Sequence, residues 1–246
     1  MEVRALRVRD DKPAFYVLPD PREVPNYGPT QAARYLRMNV TTLRTWFFGR
    51  RYETTSGRST FEPLIQAASL EPKLLSFNNL IEAHMLLALR RVHEVPMRAV
   101  RETLDVAAQE LNIDRLFMLD SLKTAFGEIF IEHYGRLVHL RRGQQIVLKE
   151  YFRSHLQRVS LDERSAPREF FPFLRTSTFF HLENGDRPIS INPRLGFGQP
   201  VVAGTGVSTA VITDRVNAGE DEQSLADDYS LTEAQIRAAI IFEEAA

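Results

Sequence analysis

The chain contains no cysteine. This absence excludes disulfide bonds, iron–sulfur clusters, thiolate zinc sites and cysteine nucleophiles. The sequence also lacks any apolar run near the ~18 residues that a membrane-spanning helix needs. Its first residues, Met1 to Asp11, are charged, whereas a signal peptide has an apolar region. We therefore expect a cytoplasmic protein with no membrane partner.

An excess of positive charge is also missing, because the net charge is −1 over 246 residues. Any nucleic-acid binding must then come from a local patch of positively charged side chains. The sequence shows no Ser-His-Asp order, no clustered carboxylates at strand ends and no convincing metal set. His133 and His139 flank a predicted hairpin turn, but no third ligand accompanies them. We expect a protein that is not an enzyme and that has neither a metal site nor a cofactor.

What the sequence does contain is an arginine-rich pair of short helices after Tyr27. Thr30 is a suitable N-cap, residues 38–40 form a tight break, and Thr41 is a suitable cap for a second helix. Leu43, Trp46 and Phe47 form the inward side of that helix. Two short helices joined by a three-residue turn predict a helix-turn-helix unit.

The outward side of the second helix and the loop or wing after Gly49 carry the candidate DNA-binding residues. Their hydroxyl and guanidinium groups suit phosphates and base edges. These residues are Arg37, Thr41, Thr42, Arg44, Thr45, Arg50, Arg51 and Arg58. A solvated, arginine-rich helix face in an ordinary bundle is the alternative interpretation, since charged helix faces are common on proteins.

The C-terminal part has the opposite charge. Strands at 189–191 and 199–202 precede predicted helices at 209–217, 222–228 and 233–244, and Thr232 with Gln235 predicts a capping box for the last one. Complementary charge makes its acidic residues the candidate contact for a protein partner that grips RNA. These residues are Asp221, Glu222, Asp227, Asp228 and Glu233. A merely solvated acidic surface is the equal alternative.

The organisation predicted from these patterns has four parts. Residues 1–25 form an extended arm, 26–112 the DNA-binding domain, 113–188 an α+β connector and 189–246 the acidic helical domain. Within the connector we expect hairpins over 128–140 and 159–173 and a helix over 146–156. The two end domains look independently capped, so we expect the DNA-binding half to stay folded after truncation at residue 188.

Two stretches resemble known families. Residues 28–36, 42–46, 75–82, 88–91 and 100–101 resemble a MerR-type winged helix-turn-helix domain, with a longer wing over 51–76 and without an effector-binding cysteine or a long coiled coil. Residues 192–193, 197–202, 204–207, 218–220 and 225–229 resemble the antitoxin-like domain of unknown function 433, although Gly206 stands where that family usually has arginine. The second resemblance implies a strand-plus-three-helix, homeodomain-like unit, VapB-type antitoxin activity and a PIN-like ribonuclease toxin as partner.

Together these features predict a mainly α fold with small β elements, of the α+β class. The predicted function is that of a DNA-binding antitoxin of a type II toxin–antitoxin system. It would neutralise a PIN-like ribonuclease toxin and repress its own operon. We expect it to bind double-stranded operator DNA as a homodimer, or as a higher assembly with the toxin. The alternative is a stand-alone transcriptional regulator whose C-terminal domain only dimerises.

Overall fold

The computed structural model describes residues 19–55, 57–90, 101–102, 105, 150, 153–164, 166–174 and 187–244. Over this part of the chain the fold is mixed α+β, which confirms the predicted class. The predicted hairpin over 128–140, both of its histidines and most of the helix over 146–156 lie outside the described residues. No helix of the described part is both long and apolar enough to cross a membrane.

The first two helices form the predicted helix-turn-helix unit, with different caps from those expected. Helix α1 spans Pro29–Tyr35 and helix α2 spans Val40–Phe48. Gly28 is the N-cap of α1 and makes no side-chain capping bond, so Thr30 is not the cap. The cap of α2 is Asn39 rather than Thr41, because the Asn39 side chain accepts hydrogen bonds from the amides of Thr41 and Thr42 in the first turn.

Two hairpins and a long buried helix follow. Strands β1 (Arg50–Thr54) and β2 (Gly57–Phe61) pair antiparallel, as do the shorter β3 (Ser69–Leu70) and β4 (Lys73–Leu74). Helix α3 spans Phe77–Arg90 and supplies much of the core, including Leu80 and Ile81. Leu75, just before α3, forms a β-bridge with Tyr27. This bridge ties the start of the helix-turn-helix unit to the core.

A four-stranded antiparallel sheet continues across residue 188. Its order is β5 (Val159–Leu161), β6 (Pro167–Phe170), β7 (Ile189–Ile191) and β8 (Pro200–Val202). The pairing of β5 with β6 confirms the hairpin predicted within 159–173. Phe170 pairs with Ile191, so the connector and the C-terminal strands share one sheet. The predicted domain boundaries themselves stay a prediction.

Three helices complete the C-terminal unit at nearly the predicted positions. Helix α4 spans Thr209–Asn217, α5 spans Glu222–Tyr229 and α6 spans Glu233–Glu244. The predicted capping box is confirmed, since Thr232 Oγ1 accepts from the Gln235 amide and Gln235 Oε1 accepts from the Thr232 amide. Buried side chains of both halves belong to one cluster, from Tyr27 to Phe242. The two helical units therefore pack on each other.

Candidate nucleic-acid interface

Helix α2 presents one buried side and one exposed side. Leu43, Trp46 and Phe47 are fully buried and fix the helix on the core, as predicted. Arg44 lies on the exposed side. Asn39 Oδ1 accepts from the amides of Thr41 at 2.8 Å and Thr42 at 3.3 Å, which satisfies two of the donors that open the helix.

A hairpin wing stands beside α2. In this wing, defined as β1 and β2, Arg51 pairs with Thr60, Tyr52 with Ser59 and Glu53 with Arg58. Ser59 Oγ donates to the Tyr52 hydroxyl at 3.2 Å across the two strands. Arg51 and Arg58 are exposed. The loop predicted for this segment is thus a regular hairpin that displays two guanidinium groups.

An open groove of about 620 Å³ lies between α2 and the wing. Its lining combines three threonines, a guanidinium, a carboxylate and three aromatic rings. The lining residues are Thr41, Thr42, Thr45, Trp46, Arg50, Tyr52, Glu53 and Phe61. The Thr45 hydroxyl already donates to the Thr41 carbonyl at 2.8 Å and can still accept. The Thr41 and Thr42 hydroxyls can donate to phosphate or accept from base edges, and arginine donates to both. The groove therefore offers the mixed polar and apolar surface that a nucleic-acid backbone or base edge contacts.

The base of the wing is fixed to α2 and to the following loop. The Leu64 amide donates to the Trp46 carbonyl at 2.7 Å, and the Ile65 amide donates to it at 3.2 Å. The Arg101 guanidinium donates to the carbonyl groups of Glu62 and Pro63. It also lies over the Phe61 ring, 5.1 Å from its centroid. These contacts hold the wing at a defined distance from α2.

Gly49 makes the sharp turn from α2 into the wing. Its φ is +69°, and a Cβ at this position would lie 2.6 Å from the Phe61 carbonyl oxygen. Only glycine fits this close approach without strain. Helix α2 thus ends at Phe48 with Gly49 as its C-cap, and β1 begins at the next residue.

The structure brings four of the eight predicted DNA-binding residues together, because Thr41, Thr42, Thr45 and Arg50 line the same groove. Arg44, Arg51 and Arg58 are exposed on α2 and the wing but do not line it. Arg37 lies elsewhere, in the turn after α1 with a φ of +53°. Its guanidinium donates to the Phe242 carbonyl at 2.8 Å and lies over that residue's ring. Arg37 therefore contacts α6 rather than the groove.

Sequence reasoning missed four groove residues. Trp46 was predicted as core only, and Tyr52, Glu53 and Phe61 were not singled out. The signal for the wing was weak, because only Gly57 in a polar turn marks a break between two short, mostly polar stretches. Recognising that hairpin would have placed alternate residues of each strand toward α2.

The acidic C-terminal residues lie on α5, its cap and the start of α6, and most have internal partners. Glu222 and Glu233 both form ion pairs with Arg237, at 2.8 and 2.9 Å. Asp228 pairs with Arg215 at 2.7 Å. These pairs reduce the negative charge that the surface presents to a partner.

The other two predicted acidic residues have different surroundings. Asp221 caps α5, and hydrogen bonds from the side chain and amide of Ser224 hold the pKa of Asp221 below its usual value. Asp227 is exposed and accepts from Gln223 Nε2 at 3.3 Å. Within the described residues no ion pair involves Asp227, so its charge is directed to solvent.

Comparisons with known proteins match two separate segments of the chain to known families. A family described as "Putative DNA-binding HTH domain" matches residues 25–104, and one described as "Protein of unknown function (DUF433)" matches residues 189–242. The "Putative antitoxin VapB45" of Mycobacterium tuberculosis (strain ATCC 25618 / H37Rv) is 31% identical over an alignment of 239 residues that covers 89% of this chain and 93% of that protein. This chain belongs to the VapB45 family.

A solved structure shares the fold of this VapB45-family chain. The crystal structure of Rv2018 from Mycobacterium tuberculosis aligns with a TM-score of 0.62 and 24% identity, covering 89% of this chain and 98% of that one. The resemblance of residues 189–242 to domain 433 is confirmed, and so is the helix-turn-helix type of the N-terminal unit. The narrower MerR relationship stays a prediction.

Proposed function

We propose that this VapB45-family chain is a DNA-binding antitoxin of a type II toxin–antitoxin pair. It neutralises a PIN-like ribonuclease toxin, represses its own operon, and acts by binding rather than by catalysis. The observation that carries the DNA-binding part is the groove between α2 and the wing. Its threonine hydroxyls and Arg50 face the same opening, with Arg44, Arg51 and Arg58 exposed nearby.

In the proposed complex α2 enters the major groove of operator DNA. Thr41, Thr42 and Arg44 contact base edges or phosphates, and the wing arginines contact the backbone. Two chains on an inverted repeat would place their α2 helices one helical turn apart, about 34–36 Å. This arrangement explains why the hydroxyl and guanidinium groups cluster on one exposed side while the opposite side is apolar.

The toxin part of the proposal rests on the family and on the acidic helices. The named relative is called an antitoxin, and a ribonuclease must present cationic side chains to RNA. Asp227 and the acidic ends of α5 and α6 offer complementary charge. Contact with the toxin there would cover its active site while leaving the α2 groove open to DNA.

One observation favours the second candidate, a stand-alone regulator whose C-terminal domain serves self-association. Arg215 and Arg237 neutralise much of the acidic surface through internal ion pairs. Because these acidic side chains are paired with arginines of the same chain, their surface attracts a cationic partner less strongly. Copurification of the untagged protein encoded next to this gene separates the two candidates, since only the antitoxin binds it.

DNA binding is tested by titrating a duplex from the chain's own upstream region at several salt concentrations. If roughly 4 to 6 phosphates are neutralised per chain, log affinity should fall against log salt with a slope of about −0.9 per phosphate. Arg44→Ala should weaken binding by ~1–3 kcal/mol if this guanidinium reads a base. The matched control is Arg237→Ala, which removes the same charge from the acidic helices and should weaken DNA binding much less than Arg44→Ala does. Salt-independent binding, or equal effects of both variants, would contradict the assignment.

The toxin contact is tested by reversing charge on α5. Asp227→Lys combined with Asp228→Lys should slow association with the copurified partner and make the rate less dependent on salt, because electrostatic steering is lost. Asp227→Lys alone keeps the ion pair between Arg215 and Asp228, so it separates steering from local destabilisation. Glu163→Lys, on the β5–β6 turn, is the control. Unchanged rates in the double variant would place the contact elsewhere.

A further inference from the structure

The C-terminal helix α6 is joined to the first helix of the DNA-binding unit. Glu243 of α6 forms an ion pair with Arg34 of α1 at 3.0 Å, and its side chain is only 9% exposed. The same carboxylate accepts a hydrogen bond from Thr209 Oγ1 at the start of α4. Glu243 therefore connects three helices with one buried group.

Gln199, just before β8, makes a second connection to α1. Its Oε1 accepts from Gln31 Nε2 at 2.8 Å and from the Tyr35 hydroxyl at 3.0 Å. Tyr35 is fully buried and stacks on Phe242 of α6, with ring centroids 5.8 Å apart. Burial raises the pKa of Tyr35, so its hydroxyl keeps the proton that it donates to Gln199.

Two backbone carbonyl groups complete the contact. The Tyr27 hydroxyl donates to the Gly198 carbonyl at 2.8 Å, and Arg37 donates to the Phe242 carbonyl. A Cβ at Gly198 would lie 2.5 Å from the Tyr27 hydroxyl, so this approach requires glycine. The two donors flank α1, with Tyr27 shortly before the helix and Arg37 shortly after it. The contact thus holds both ends of the helix.

The contact between the C-terminal unit and α1 does not cover the groove between α2 and the wing. The contact uses side chains of α1 and its flanks, whereas the groove is lined by α2 and the wing. Because α1 and α2 bury their apolar sides in one cluster, the placement of α1 determines the direction in which α2 points. The C-terminal unit can then affect DNA binding without contacting DNA.

We propose that Gln199 and Glu243 are positioning residues for DNA binding, holding α1 so that α2 and the wing meet the duplex together. This inference rests on the proposed DNA-binding function. It assigns the domain-433 unit a role in operator binding in addition to the proposed partner binding. Loss of either residue should lower the fraction of molecules in the binding-competent arrangement and leave the groove's own contacts intact.

The first test compares Glu243→Ala with Glu244→Ala in the full chain. Glu244 is exposed on the same helix, and no ion pair of the described residues includes it. The probe is a duplex selected from a random library by the wild-type chain. Glu243→Ala should weaken binding about tenfold if the competent fraction falls to about one tenth. The slope against salt should not change, because the phosphate contacts are the same.

Electrostatics alone predicts that both variants bind DNA more tightly, so a loss of affinity has a different cause. Both variants remove one negative charge, and that change by itself strengthens binding to DNA. A loss confined to Glu243→Ala therefore reports positioning. Equal affinities of the two variants would overturn the proposal. A loss accompanied by a smaller salt slope would overturn it too, since it would mean that a phosphate contact had been removed.

A second pair of variants decides the outcome if Glu243→Ala does not fold. Gln199→Ala removes the acceptor for Gln31 and Tyr35, whereas Gln199→Glu retains an acceptor at the same place. We expect weaker binding and faster hydrogen exchange of the amides of residues 30–35 in Gln199→Ala, and recovery of slow exchange in Gln199→Glu. Wild-type exchange and affinity in Gln199→Ala would overturn the proposal.

The exchange measurement also separates this inference from the proposed function. A wild-type chain that binds no duplex in the selection would refute the DNA-binding function and, with it, the positioning of α2 on DNA. Exchange of α1 in Gln199→Ala needs no DNA, so it still tests whether Gln199 holds α1. Binding by the wild type with unaltered exchange in all variants would refute the inference alone.

Discussion

Asn39 begins the helix that we propose to enter DNA, and its side chain has two consequences at the residue scale. It satisfies the amides of Thr41 and Thr42 and so stabilises the first turn of α2. It is also exposed, at the positive end of the helix dipole, where an anion such as phosphate is favoured. Capping and DNA binding therefore make different demands on the same position.

Substitutions at Asn39 should separate these demands. Asn39→Ala should lower the free energy of unfolding by ~1 kcal/mol, because an N-cap is lost. Asn39→Asp should retain the cap and the stability but weaken DNA binding, because a carboxylate would face phosphates. Denaturant unfolding and DNA titration measure the two effects. Equal DNA affinity of the aspartate variant and the wild type would place the start of α2 away from the DNA backbone.

Sequence patterns identified the inward side of α2 correctly but assigned Arg37 to the wrong surroundings. Leu43, Trp46 and Phe47 follow helical spacing, which determines their side of the helix locally. The direction of Arg37 depends on its φ of +53° and on Phe242, about two hundred residues later in the chain. Local spacing cannot supply a contact that only the tertiary fold creates.

At the scale of elements, the wing depends on the turn at Gly49. Gly49→Ala should lower the free energy of unfolding by about 1–3 kcal/mol, because the added Cβ meets the Phe61 carbonyl in a backbone conformation strained for alanine. It should also weaken DNA binding by displacing the wing. Gly28→Ala is the control, since its φ is −66° and no atom lies within 4 Å of the added Cβ. Comparable losses in both variants would contradict this explanation.

Elements with strong local signals were predicted best. Helices α4 and α6 have the predicted bounds, and the Thr232–Gln235 capping box is where the sequence places it. The segment after Gly49 was predicted as a loop or wing without strand bounds, because five-residue strands carrying several charges have a weak local pattern. Their stability comes from Trp46 and Arg101, which contact the wing base from other elements.

At the scale of the whole molecule, the two helical units share a buried contact, which revises the expectation of independent folding. Truncation after Pro188 removes Phe242, Gln199 and Glu243, and it exposes the rings of Tyr27 and Tyr35. A buried aromatic ring contributes ~1.5–3 kcal/mol, so we expect the truncated chain to unfold at a clearly lower temperature. Circular dichroism melting and binding of an apolar dye measure this. A truncated chain that melts like the wild type would show that the contact contributes little.

Trp46 is the only tryptophan of the chain, and its place gives the protein a built-in optical probe. The indole is buried on the inward side of α2 and lines the groove. The backbone carbonyl of Trp46 accepts the hydrogen bonds from the two amides that fix the wing base. Intrinsic emission should therefore come from one known position. Its wavelength should shift to the red when the helix-turn-helix unit opens, and its intensity should respond when DNA covers the groove. Kinetics of operator binding can then be followed on the unlabelled chain.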